Sequence, residues 1–181
     1  MKKKTAIITG ITGQDGSYLA SFLIKKGYKV YGVIRRTSTD PFYRLKHLKI
    51  DKKIEFLNTD LSEYQRINSH IGSIKPNFFY NLAAQSFVAY SYGNPMYSDI
   101  INNSSVLNIL EAIKNNSNKT KFYQASSSEM YGGLNYTNKN LNEDSKFNPV
   151  SPYAISKLSA FHYTKMYRKS YNIFASNGIL F

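Results

Sequence analysis

Tyr153 and Lys157, four residues apart in Ser151-Pro152-Tyr153-Ala154-Ile155-Ser156-Lys157, form a pair able to move a proton. On a helix they share one face, a turn from each other. An ammonium beside a phenol favours the phenolate and lowers its pKa from a reference of about 10. Such a tyrosine serves as a general base near neutral pH. Upstream, Ala125-Ser126-Ser127-Ser128-Glu129 adds hydroxyls for a substrate oxygen and a carboxylate for a second proton transfer. An isolated Tyr-x-x-x-Lys is more often a plain helix-surface pair, so the rest of the chain has to carry the assignment.

The elements that would hold these residues alternate between strand and helix. Thr5 to Thr9 reads as a short buried strand, followed at once by Gly10-Ile11-Thr12-Gly13-Gln14-Asp15-Gly16. A helix comes next, with Tyr18, Leu19, Phe22 and Leu23 on its apolar stripe and Gly27 as its stop. Strand, glycine-rich turn and helix open a dinucleotide-binding βαβ unit, here spaced GxxGxxG. The glycines let backbone approach a pyrophosphate, and the helix N-terminus supplies free N–H groups and a positive dipole end. A second strand, Lys29 to Ile34, ends in Arg35-Arg36, where an NAD-selective site has an acid for the ribose 2′-OH. Two guanidinium forks suit a 2′-phosphate instead, so NADP is the expected cofactor.

The same alternation continues to the last residue. Lys53 to Leu57 is the third expected strand, leading to Asp60-Leu61, with Ser62 as cap of a helix running through Ile67 and Ile71 to Gly72. Asn77 to Leu82 is the fourth strand, followed by Ala83-Ala84-Gln85-Ser86, small enough for a cofactor to lie close. A helix spans 97–115, and Lys121 to Ala125 is the fifth strand, with the serine cluster at its carboxyl end. Open parallel sheets bind ligands at that edge. Residues 130–150 read as a long loop, Ser151 caps the Tyr153 helix with Pro152 in its first turn, and Ile173 to Ala175 begins a sixth strand. The architecture implied is α/β: a Rossmann-like, doubly wound parallel sheet of about six strands with helices on both faces.

Composition narrows the function classes. The 181 residues suffice for one core, 42% are hydrophobic, and 16 Tyr and 11 Phe supply much of that fraction. No apolar run reaches membrane-spanning length, and no signal-peptide core follows Lys2-Lys3-Lys4. The absence of Cys excludes disulfides and thiolate chemistry and agrees with a reducing compartment, so a cytoplasmic location is expected. His47, His70 and His162 show no ligand spacing, and no metal site is expected. The net charge of +13 raises nucleic-acid binding, but the lysines are dispersed and no recognition motif accompanies them. Neither a nucleic-acid nor a membrane partner is therefore expected.

Taken together, these motifs resemble the extended short-chain dehydrogenase/reductases. Within that group Ile8 to Leu19, Arg35-Arg36-Thr37-Ser38, Tyr80 to Ser86, Phe122 to Ser126 and Ser176 to Phe181 are closely similar to the GDP-mannose 4,6-dehydratase family. The resemblance implies a lyase that oxidises the sugar of a GDP-mannose-type substrate at C4, eliminates water across C5 and C6, and returns the hydride to C6. NADP is regenerated in each turnover, and the product is GDP-4-dehydro-6-deoxy-mannose. It also implies that Tyr153 takes the C4 hydroxyl proton, that Lys157 holds the nicotinamide ribose, and that Glu129 removes the C5 proton. Ser127 stands where the family commonly has Thr and keeps the hydroxyl of a proton relay. Gly10, Thr12, Gly13, Gln14, Asp15, Gly16, Arg35, Arg36, Asp60, Leu61, Leu82, Ala83, Ala84, Ser86 and Tyr123, with Tyr153 and Lys157, are implied to bind cofactor. Ser86, Ser127 and Asn177 are implied to meet the substrate.

Two departures and two alternatives accompany that reading. The family runs on into a smaller domain that grips the nucleotide of the sugar. The expectation is a cofactor-binding and catalytic domain over 1–181 with the C-terminal substrate domain absent, binding NADP but weakly active by itself. On the fourth helix Ile100 and Ser105 replace an Asn or Asp and a Gly typical of the group. A nucleotide-sugar 4-epimerase needs the tyrosine base but no carboxylate at position 129; a non-catalytic NADP-binding fragment or sensor is the other alternative. The family's dimers and tetramers suggest a homo-oligomer, with Arg35 to Arg44 as an assembly contact.

Overall fold

The computed structural model describes residues 3–132 and 141–181. Six parallel strands form one sheet: β1 (Thr5–Thr9), β2 (Lys29–Ile34), β3 (Ile54–Asn58), β4 (Phe78–Asn81), β5 (Lys121–Ser127) and β6 (Ala175–Leu180). Their spatial order is β3-β2-β1-β4-β5-β6, so the winding reverses between β1 and β4. Ligands of open α/β sheets bind in the crevice at such a reversal. Side chains alternate across the sheet with period two. Ile7 of β1 packs into a core on one face, while Ala6 and Ile8 pack into a second core on the other.

Helices α1 (Gln14–Lys25) and α2 (Tyr43–His47) cover the face of Ala6 and Ile8. The opposite face carries α3 (Tyr64–Ile74), α6 (Ser105–Asn116) and α7 (Pro152–Tyr171). The expected doubly wound arrangement is therefore present, with both faces of the sheet packed.

Several local expectations are corrected. Tyr18 and Phe22 do not lie on the buried stripe of α1; they are 62% and 56% exposed, and Gly16, Ser17, Ala20 and Leu23 face the sheet instead. Small residues at successive turns let this helix approach the strands, which an apolarity count overlooks. Ser62 does not cap α3. Its N–H and hydroxyl both donate to Asp60 Oδ1, while Glu63 Oε1 accepts from the Asp60 N–H. That helix runs past Gly72 to Ile74 and is closed by Lys75 in the left-handed region, a position with no glycine to announce it.

Between β4 and β5 the chain is also more divided than expected. Short helices α4 (Val88–Gly93) and α5 (Pro95–Asp99) precede a π-helical turn at Ile100–Ser104 and then α6. Ser105, which stands in place of the group's typical Gly, is fully buried, and its hydroxyl donates to Ile101 O at 2.6 Å. Ile100 packs against the adjoining core. Strand β5 continues two residues beyond its expected end, so Ser126 and Ser127 belong to it. Of the loop expected over 130–150, residues 133–140 lie outside the described residues.

Candidate active site

At the carboxyl edge of β1, β2 and β4 lies a cavity of about 760 Å³. Gly10, Thr12 and Gly13 line one wall, Arg35 and Thr37 a second, Asp60 and Leu61 a third, and Leu82 to Phe87 the fourth. Gly10 has φ +67°, and a Cβ there would lie 2.8 Å from the Ala83 nitrogen. At Gly16 a Cβ would lie 2.3 Å from the Gly10 carbonyl oxygen. Only glycine permits the loop to fold so tightly onto β4 and α1. The first turn of α1 then presents backbone N–H groups and a positive dipole end toward the cavity, as an anionic pyrophosphate requires.

Expected cofactor residues divide into those at the cavity and those away from it. Gly10, Thr12, Gly13, Arg35, Asp60, Leu61, Leu82, Ala83, Ala84 and Ser86 line it. Gln14, Asp15 and Gly16 form the adjoining helix start. Arg36 is exposed beside Arg35, whose guanidinium donates to the Tyr97 hydroxyl at 3.4 Å. Tyr123 is placed elsewhere: its hydroxyl lies against Gly178 on β6, where a Cβ would come within 2.1 Å of it. Burial and the Asp15 charge push its pKa up.

The proton-transfer residues come together at the start of α7. Ser151 accepts from the Ala154 N–H at 3.0 Å, and Pro152 occupies the first turn, as expected. This cap places Tyr153 near Ser127; burial pushes the phenol pKa up, and the Ser127 hydroxyl partly offsets that by favouring the phenolate. Ser127 also accepts from the Glu129 N–H at 3.2 Å, fixing the short 3₁₀ turn Ser128–Tyr131 that carries the exposed Glu129. The Glu129 carboxylate is near enough to push the phenol up. Three residues from separate segments, Ser127 of β5, Glu129 of the 3₁₀ turn and Tyr153 of α7, thus form one cluster.

Electrostatically the pair differs from the sequence expectation. Burial is the largest influence on Tyr153 and raises its pKa above the ordinary phenol value. Lys157 is 3% exposed, and burial lowers its ammonium to about 8. Its Nζ donates to the Ala125 carbonyl at 2.9 Å and sits 5.8 Å from the Tyr153 ring centroid. Withdrawal from water outweighs the attraction that the four-residue spacing suggested.

Asn177 is placed apart from the cofactor cavity. It accepts from the Ser126 hydroxyl and donates to Phe161 O, both at 3.3 Å, beside a second cavity of about 480 Å³ bounded by Tyr131, Phe161 and Arg168. Among the described residues no cluster of three or more His, Cys, Asp or Glu could hold a metal, and no helix is long and apolar enough to cross a membrane.

A buried polar chain links the two halves of the site. Thr9 Oγ1 accepts from the Leu82 and Ala83 N–H groups at 3.1 and 3.0 Å and donates to Asn81 Oδ1 at 2.7 Å. Asn81 Nδ2 donates to Gln124 Oε1 at 2.8 Å, and Gln124 Nε2 donates to Ala125 O at 3.0 Å. That carbonyl is the acceptor for Lys157. The chain thus runs under the sheet edge from the glycine loop to the lysine. A second brace holds Gln85: its N–H donates to Asn102 Oδ1 at 2.9 Å, and Asn102 Nδ2 donates to its carbonyl at 3.1 Å. Sequence reading missed Thr9, Asn81, Gln124 and Asn102. Polar amides at the ends of otherwise apolar parallel strands were the available signal for Asn81 and Gln124.

Comparison with known proteins places this geometry. A family model described as GDP-mannose 4,6 dehydratase matches residues 7–181. The chain is similar to a GDP-mannose 4,6-dehydratase of Vibrio cholerae, 45% identical over 188 residues that cover 100% of this chain and 50% of the relative. It is 44% identical to GDP-mannose 4,6 dehydratase 1 of Arabidopsis thaliana, covering 99% of this chain and 52% of that protein. A solved UDP-glucose 4-epimerase of Thermus thermophilus, in complex with NAD, superposes with a TM-score of 0.81 at 25% identity, over 93% of this chain and 52% of its own. The chain spans about half the length of the curated relatives it matches. With the family model matching residues 7–181 of this chain, the chain belongs to the GDP-mannose 4,6-dehydratase family.

Proposed function

We propose that residues 1–181 form the NADP-binding and catalytic portion of a GDP-mannose 4,6-dehydratase, converting GDP-mannose to its 4-keto-6-deoxy derivative. The observation that carries this reading is the convergence of Glu129, Ser127 and Tyr153 after β5, at the same carboxyl edge of the sheet as the glycine-loop cavity. The lining suits the cofactor: Gly10 and Gly16 let the loop close tightly onto β4 and α1 beside the cavity, and Arg35 on the cavity wall offers a guanidinium to a 2′-phosphate. When bound, NADP supplies reversible two-electron oxidation of the sugar carbon.

The chain's own residues then handle protons and position. Tyr153 acts as its phenolate, a form that burial opposes and the Ser127 hydroxyl favours, and accepts the proton of the sugar C4 hydroxyl with Ser127 bridging phenol and substrate oxygen. Lys157 stays protonated at neutral pH despite burial, and its fixed Nζ orients the cofactor ribose. Once C4 is a ketone, the C5 proton is acidified. Glu129 removes it and hands a proton to the departing C6 hydroxyl, so that water leaves and a C5–C6 double bond forms. Ser86, at the cavity wall, holds a substrate hydroxyl. Glu129 favours dehydration over 4-epimerisation, which requires no carboxylate in this place.

The test incubates the purified chain with NADP and GDP-mannose and follows the 4-keto-6-deoxy product by mass spectrometry, with Glu129→Gln in parallel. Product from the wild type and a loss of about a hundredfold or more in the variant supports the reading. Product that survives Glu129→Gln refutes the role of Glu129, and NADP binding without any product supports a non-catalytic cofactor module instead.

A further inference from the structure

The N-terminal turn of α7 is held by more than its own cap. Pro152 has no N–H, Ala154 donates to the Ser151 hydroxyl, and Ile155 donates to Ser151 O at 2.9 Å. The Tyr153 N–H has none of these acceptors and donates instead to Ser91 Oγ on α4, at 3.2 Å. Ser91 is fully buried; it sends its own proton to Val88 O at 2.6 Å, leaving an oxygen lone pair for Tyr153. Its neighbour Tyr92 donates to Val150 O at 3.1 Å, so α4 grips the chain on both sides of Ser151. The other flank of α4 lies at the cofactor cavity, where Phe87 and Tyr90 line the wall.

We infer that Ser91 is the positioning residue of Tyr153: through its bond to the Tyr153 N–H, α4 fixes the phenol against Ser127 and ties that placement to the wall of the cofactor cavity. The catalytic meaning of this contact rests on the proposed role of Tyr153 as proton acceptor; the contact itself does not. Without the Ser91 oxygen, a buried N–H in the first turn has no acceptor, and the turn must shift or open to find water. A helix start that shifts moves Tyr153 directly, because the residue sits in that first turn.

The experiment labels the chain with nitrogen-15 throughout and carbon-13 at the tyrosine Cζ, and compares wild type, Ser91→Ala and Ser98→Ala by NMR. Ser98 is equally buried on the neighbouring helix, but its hydroxyl serves Asn94 O and Gln85 Oε1 rather than α7. Ser91→Ala is expected to speed exchange of the Tyr153 amide by about tenfold and to move the Tyr153 Cζ resonance, while Ser98→Ala leaves both in place. A folded Ser91→Ala protein with unchanged Tyr153 exchange and resonance overturns the inference. So does a wild-type Tyr153 amide that exchanges as freely as an unfolded one while Ala154 is protected, a result that needs no variant to fold. A chain that shows the Tyr153 changes yet forms no dehydrated product keeps the positioning role and defeats the proposed function alone.

Discussion

Replacing Lys157 by Met tests the energetics of the site most directly. The ammonium is 3% exposed and burial lowers its pKa from 10.5 to about 8. A shift of this size at ~1.4 kcal/mol per unit means that folding penalises the charged form by about 3 kcal/mol. The sign follows from the proton count. Because the folded pKa lies below the unfolded one, the unfolded chain binds more protons between pH 8 and 10.5, and stability rises with pH across that window. Below pH 8 the penalty is complete; at pH 10 it falls to roughly 1 kcal/mol by the same linkage. Met has a similar stem and no charge, so Lys157→Met gives up the bond to Ala125 O, worth ~1 kcal/mol, and sheds the larger burial penalty. Urea unfolding of the cofactor-free chain, followed by circular dichroism at pH 7, 8, 9 and 10, reads the difference. The variant is expected to be more stable by about 2 kcal/mol at pH 7, with the advantage gone by pH 10. A difference between the two proteins that stays constant from pH 7 to 10 would falsify the reasoning, because the lysine would then carry no burial penalty.

Further expectations rest on other parts of the site. Gly16→Ala drives a Cβ to 2.3 Å from the Gly10 carbonyl, so the variant should lose ~2 kcal/mol or more in urea unfolding together with dinucleotide binding; unchanged NADP affinity by calorimetry would refute the packing argument. Asn81→Ala leaves the Gln124 Oε1 without its donor and the Thr9 hydroxyl without its acceptor in a buried chain. The expected cost is about 2–4 kcal/mol, and a loss under ~0.5 kcal/mol would show that the chain is not cooperative. Arg35→Ala should weaken NADP binding by about tenfold or more and leave NAD nearly untouched; equal losses for both would count against a 2′-phosphate contact.

How much of this was legible in the sequence depends on whether the signal is local. The βαβ start, the glycine loop and the Ser151 cap are set by neighbouring residues, and each folds as the sequence predicts. The helix after β4 was only partly legible. The sequence reads as one helix through Ile100–Ser104, and nothing local announces the π-helical turn there, in which Asn102 bonds the backbone of Gln85. The helix ends at Lys75 and Asn172 adopt the left-handed conformation without the glycine that usually marks it.

The sequence by itself determined the fold class and the place of the glycine loop, and it put Ser127, Glu129, Tyr153 and Lys157 forward as a candidate set. Residue type and short spacing carry that information, since a helix face or a tight turn is fixed within a few residues. Only the tertiary structure decided how those groups titrate and what holds them. Burial raises Tyr153 and lowers Lys157 against the attraction that spacing suggests, and desolvation depends on what the rest of the chain removes from water. The contacts from Ser91 to Tyr153 and from Asn81 to Gln124 span 62 and 43 residues. No local pattern encodes them; they exist because the sheet order brings β4 beside β5 and packs α4 against α7.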